Sequence, residues 1–157
     1  MSDAYRDGVR MLGRRPLTRR EVVLRLRERG HDDEEVEAAV SRLAAQSAID
    51  DRKLARHWIG SQAGPRGRGR DRALAELAAR GVEAEVAASA WSEVVQDGTI
   101  DEGAVLLRAI RRRLGAPSGR TGMGRLTRVY NALLDEGFGR EQVEAALLPY
   151  GFERTDP

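Results

Sequence analysis

Two histidines, two acidic pairs, a glycine-interrupted arginine stretch and an arginine triplet are the residues whose types could do chemistry in this sequence. His31 and His57 could act as a base or metal ligand only with a partner at bonding spacing, and neither has one, so both read as turn and surface histidines. Asp50-Asp51 and Asp101-Glu102 could divide acid and base roles, yet each pair sits where a helix needs a cap, and capping is the expectation. The single lysine, Lys53, follows Arg52 inside a helical stretch, and no Gly-x-x-x-x-Gly-Lys-Ser/Thr loop exists to cradle a nucleotide phosphate. Gly67-x-Gly69 lacks the third glycine and the preceding strand of a dinucleotide site. With no cysteine, thiolate metal sites and thiol nucleophiles are excluded as well. The expectation is a protein with no catalytic residues, no cofactor and no metal.

What remains is arginine. The 27 basic residues face 25 acidic ones for a net charge of +2, so the placement of charge says more than its total. Arg14-Arg15, Arg66, Arg68, Arg70 and Arg72 fall on loops and helix starts, with glycines between Arg66, Arg68 and Arg70 leaving the backbone exposed. A planar fork of donors on such a segment suits phosphates or an acidic protein groove. These six are the candidate partner-binding residues. Arg19-Arg20, Arg120, Arg125 and Arg128 belong to the same population, and Arg111-Arg112-Arg113 reads as solvated helix surface. A GC-rich genome would also favour arginine over lysine, so composition alone does not establish a site. Trp58 and Trp91 fall on apolar stripes and read as core rather than as base-stacking platforms.

The elements that must position these arginines are helices. Thr18-Arg19-Arg20-Glu21 has the spacing of a capping box, Val22, Val23 and Leu26 follow at three- and four-residue intervals, and Gly30 supplies a stop. Asp32 to Glu35 place negative charge at the start of a second helix buried through Val36, Val40 and Leu43. Ile49-Asp50-Asp51 opens a third, with Leu54, Ala55, Trp58 and Ile59 as its stripe. The pattern then recurs: Gly81 follows Gly30, and Ile100 follows Ile49, at an offset of 51 residues. Leu74 and Leu77 precede Gly81, with Val86, Ala90 and Val94 after it, and Tyr130, Leu133, Gly137, Val143 and Leu147 form a third copy. Self-similarity at this period marks stacked helical repeats.

Expected blocks are residues 1–63, with a leader before the first repeat, 64–115 and 116–157. The leader, residues 3 to 13, is expected to lie outside the packed repeats as an extra helix. Gly64 to Arg70 and Gly115 to Gly122 read as mobile linkers. A polar start, no long apolar run and no cysteine predict a cytoplasmic monomer, neither exported nor membrane-bound.

Leu12-Gly13-Arg14-Arg15-Pro16-Leu17-Thr18-Arg19-Arg20-Glu21, Ile49-Asp50-Asp51, Gly69-Arg70-Asp71-Arg72-Ala73-Leu74-Ala75-Glu76-Leu77-Ala78-Ala79-Arg80-Gly81-Val82 and Gly137-Phe138 together resemble the RecX family, bacterial regulators of the RecA recombinase. Val22 replaces a usual leucine, Ser47 a usual glycine, Leu54 a usual aromatic, and Asp135-Glu136 a usual basic pair, which puts a basic contact at the third repeat in doubt. The resemblance implies an all-α, curved and elongated array of three three-helix repeats with a short N-terminal helix. It also implies a noncatalytic modulator, mainly an inhibitor, of RecA in recombination, DNA repair and the SOS response. Such a protein binds the filament on single-stranded DNA and damps strand exchange, ATP hydrolysis and coprotease activity. A helical protein that binds nucleic acid without a recombinase, or an interaction scaffold, is the alternative, and single-stranded DNA is a second candidate partner.

Overall fold

Local sequence signals close helices one after another. In the computed structural model, which describes residues 3–153, nine α-helices and no strand occur among the described residues. They are α1 (Asp3–Leu12), α2 (Arg19–Glu28), α3 (Asp33–Ala45), α4 (Asp51–Trp58), α5 (Arg70–Ala79), α6 (Ala84–Gln96), α7 (Glu102–Leu114), α8 (Met123–Asp135) and α9 (Arg140–Leu147). The last turn of α4 widens into a π-helical segment, Ile59–Ala63, and α9 tightens into a 3-10 turn, Leu148–Tyr150. The helices α2, α3 and α4 begin at 19, 33 and 51, and α5, α6 and α7 begin at 70, 84 and 102, each 51 residues on. Residues 1–2 and 154–157, the outer ends of the first and third expected blocks, lie outside the described residues.

The stop glycines do what the spacing predicts. Gly30, Gly81 and Gly137 close α2, α5 and α8 with φ of +88°, +93° and +89°, a left-handed conformation in which a Cβ collides with the backbone. A second stop recurs after α3 and α6, at Ser47 (φ +56°) and Gly98 (φ +78°), and Ser47 is the one non-glycine at positive φ among the described residues. A serine in this conformation, where the resemblance implies a glycine, carries backbone strain.

Contacts divide the chain into two compact units: residues up to His57 with Glu76–Ala90, and Trp58–Ala75 with Trp91 onward. In the first, Ala4 and Met11 of α1 pack into one core with Leu17, Val22, Leu26 and Leu43. The leader expected to stand apart is thus inside the core. A Cβ at Gly8 would lie 2.6 Å from Leu43 Cδ1, so the missing side chain lets α1 approach α3 closely, with Met11 in the core and Tyr5 and Leu12 packed against it. Tyr5 fixes that contact, with its ring 4.2 Å from the Arg42 guanidinium and its hydroxyl donating to Gln46 Oε1 at 2.8 Å. His31 is likewise no surface histidine. Its side chain is only 13% exposed, and Nε2 lies 3.0 Å from Asp7 Oδ2, joining α1 to the turn before α3.

Thr18 caps α2 as its spacing predicts: Glu21 N donates to Thr18 Oγ1 at 3.1 Å, and Thr18 N donates to Glu21 Oε2 at 3.0 Å. The same hydroxyl donates to the Arg80 carbonyl at 2.7 Å, and the Arg80 guanidinium grips Glu21 with two bonds of 3.0 and 2.9 Å. Burial pushes the Glu21 carboxyl up, but the Arg80 hydrogen bonds, the Thr18 amide and the charges of Arg80 and Arg15 outweigh it and hold it below its ordinary 4.5. A lowered carboxyl stabilises the fold fully above its unfolded value, and that contribution is lost as pH falls through the lowered one. Melting temperature followed from neutral pH to about pH 3 should therefore fall on the acid side, and Glu21→Gln should flatten that limb while costing about 1 to 2 kcal/mol at neutral pH. An unchanged acid limb in the variant would show that this pair does not hold the unit together.

Candidate functional site

The arginine stretch becomes a built turn rather than an open linker. In the second unit, Gly64 N donates to Ile59 O at 3.3 Å, Gly67 N to Gly64 O at 3.1 Å and Arg68 N to Ala63 O at 2.9 Å, so the chain coils straight out of the π-helical segment. Gly69 N then donates to Glu136 O at 2.7 Å and Asp71 N to Gly137 O at 3.1 Å. The glycines at 64, 67 and 69 are buried, while Arg66 and Arg70 project into solvent and Arg68 and Arg72 are half-buried. The glycines between these arginines serve close packing. A Cβ on Gly69 would stand 2.3 Å from the Gly137 carbonyl carbon.

Around this turn the second unit gathers arginine side chains of α7. Arg111 and Arg112 are exposed, as expected, but with Arg108 they line a groove of about 390 Å³ whose other wall is Gly64, Pro65 and Gly67. Arg113 turns elsewhere, donating to the Ala109 carbonyl at 2.9 Å and to the Glu136 carboxylate. Glu136, one of the two acids where the resemblance implies a basic pair, is therefore the counter-charge of Arg113. Arg125 closes this corner by donating to the Arg113 carbonyl at 2.7 Å. Arg14 and Arg15 are exposed in the turn between α1 and α2, within the other unit.

The candidate acidic pairs are structural. Asp50 Oδ1 accepts from Lys53 N at 3.0 Å and caps α4, while Asp51 Oδ1 accepts from Arg19 N at 2.9 Å. Desolvation, more than the neighbouring Asp50 and Glu21 charges, raises the Asp51 carboxyl above its ordinary value. Asp101 Oδ1 caps α7 through Ala104 N at 2.9 Å. Glu102 accepts from the indole of buried Trp91 and from Gln142 Nε2 at 3.2 Å. Trp91 is thus a core residue, as its stripe predicts, whereas Trp58 is half-buried. No group of three or more His, Cys, Asp or Glu that could hold a metal occurs among the described residues. No helix among them is long and apolar enough to cross a membrane.

A relative from Halorhodospira halophila named regulatory protein RecX is 35% identical over 148 residues, covering 92% of this chain and 87% of the relative. The chain belongs to the RecX family. A second RecX protein, from Chromohalobacter salexigens, is 33% identical over 149 residues, covering 95% of this chain and 93% of its own. The family model for the first three-helix domain of RecX matches residues 4–43, which span α1 to α3. The packed α1 thus belongs to a RecX three-helix domain. The crystal structure of RecX from Lactobacillus salivarius shares the fold, with a TM-score of 0.74 over 94% of both chains at 16% identity. RecX is a family of regulatory proteins, and the all-α repeat architecture expected from the sequence is the one these structures share.

Proposed function

We propose that this RecX protein is a noncatalytic modulator, mainly an inhibitor, of the RecA recombinase, acting on the filament that RecA forms on single-stranded DNA. The observation that carries the reading is its similarity along nearly the whole chain to proteins named regulatory protein RecX. The arrangement of arginine supports it. Arg14, Arg15, Arg66 and Arg70 are exposed and supply the contacts, with the half-buried Arg68 and Arg72 beside them in the same stretch. Bound there, the protein would impede filament growth and damp strand exchange, ATP hydrolysis and coprotease activity.

The test is a titration of wild type and the Arg66→Ala, Arg70→Ala double variant against RecA ATPase on single-stranded DNA. Both side chains point into solvent, so melting temperature should stay within the range of ordinary surface substitutions. The inhibitory midpoint should rise roughly tenfold, the equivalent of about 1.4 kcal/mol for two charge-assisted contacts. Added salt should weaken the wild type in the same direction. A wild-type protein that leaves the ATPase untouched would refute the reading, and an unchanged midpoint in the variant would remove this turn from the interface.

A further inference from the structure

Arg125 and Arg128 sit in the first two turns of α8, three residues apart, and no acidic residue accompanies them in the first turn. Positive charge near a helix start opposes the helix dipole, and like charges at this spacing repel, so the pair lowers the stability of α8. Both side chains are exposed, and neither has an ion-pair partner among the described residues. Other arginines of the chain are neutralised locally, Arg19 by Glu37, Arg27 by Asp33 and Arg80 by Glu21. Ion pairing within the fold and the helix dipole therefore do not account for the two charges.

The two side chains line a pocket of about 320 Å³ with Arg113, Val129 and Ala132, and no carboxylate belongs to the lining. Arg113 is held by the Ala109 carbonyl and neutralised by Glu136. Arg125 donates to the Arg113 carbonyl at 2.7 Å, which fixes one edge of its guanidinium and leaves its other N–H groups available. Val129 is buried and Ala132 half-buried, so the rest of the lining is apolar. A guanidinium fork pairs with a carboxylate through two parallel hydrogen bonds. The ligand that satisfies both parts of this lining carries a carboxylate and an apolar group close together. The last residue of a peptide does so, because its carboxylate and its side chain leave one Cα. An internal acid does not, because in an extended chain the next side chain points to the opposite face.

We propose that the pocket between the end of α7 and the start of α8 holds the free C-terminus of a protein partner whose last residue is apolar and whose preceding residues are acidic. Arg125 pairs with the terminal carboxylate, Arg128 with an upstream acid, and Val129 and Ala132 receive the last side chain. The size agrees: about 320 Å³ is at the lower end of ligand sites, enough for one residue and its carboxylate. The pocket lies outside the six arginines assigned to the filament contact and does not depend on that contact.

The experiment is fluorescence anisotropy of a labelled peptide, three aspartates followed by glycine and a terminal leucine, titrated with the full chain at about 0.15 M salt. Amidating the peptide's terminus should weaken binding roughly tenfold, and replacing its leucine by serine roughly fivefold. Arg125→Ala with Arg128→Ala should weaken it roughly tenfold or more, while melting temperature stays level or rises slightly as the charges leave the helix start. Arg125→Lys with Arg128→Lys keeps the charge without the fork, should recover only part of the affinity, and guards against a folding defect. The Arg66→Ala, Arg70→Ala variant of the filament contact should bind the peptide within about twofold of wild type, as a distant surface charge does. A wild type that does not bind the peptide overturns the proposal, as does an amidated peptide bound as tightly as the free acid. So does a double alanine variant of Arg125 and Arg128 that loses oligothymidylate but keeps the peptide, which would make the pocket a nucleic-acid site.

Discussion

Gly137→Ala should cost about 3 kcal/mol or more and should be among the most damaging single-methyl additions in this chain. Two penalties combine. A φ of +89° disfavours any Cβ by roughly 1 to 2 kcal/mol, and the added atom would stand 2.2 Å from the backbone nitrogen of Arg72 and 3.0 Å from its Cα. No rotamer change relieves a clash with backbone. Asp71 N donates to Gly137 O, and Gly69 N to Glu136 O, so the two chains are held at that distance by hydrogen bonds on both sides. Gly30→Ala is the control, because its φ is +88° but nothing lies within 4 Å of the added atom. Urea denaturation of both variants separates strain from steric exclusion, and equal losses would show that the approach at Gly137 is looser than described.

Leu77→Ala should destabilise by about 2 to 5 kcal/mol, the range for emptying a fully buried leucine site. Leu77 is 0% exposed, whereas Leu24 of α2 is 46% exposed and its replacement by alanine should stay within about 0.5 kcal/mol. The comparison is made by thermal melts of both variants. A loss below about 1 kcal/mol at Leu77 would mean that the site collapses on the smaller side chain, and would remove it as a core anchor of the middle repeat.

The signals that could be read correctly from the chain are those that act within about one helical turn. The Thr18-Glu21 capping box, the Asp50 cap and the apolar spacing of Val36, Val40 and Leu43 are all interactions between residues three or four apart, and each is present in the fold. Glycines and small residues carry no such local signal. At Gly64, Gly67 and Gly69 the missing side chain permits motion and close approach equally well. Nothing within the turn itself says which; Gly137 and Arg112, far along the chain, decide it. The packing of α1 is likewise decided at a distance, since the missing side chain at Gly8 is met by Leu43 of α3.

Charge divides in the same way. Period, capping and composition are local properties of the chain, so the helices, their repeat and the helix ends at Gly30, Gly81 and Gly137 are legible in it. Which arginines neutralise internal carboxylates, as Arg80 does Glu21 and Arg113 does Glu136, and which face a groove depends on packing between distant segments. The partners in those pairs lie 59 and 23 residues apart, and Arg112 meets Gly67 from a different helix. Electrostatic neutralisation depends on distance in space, which periodicity along the chain does not encode.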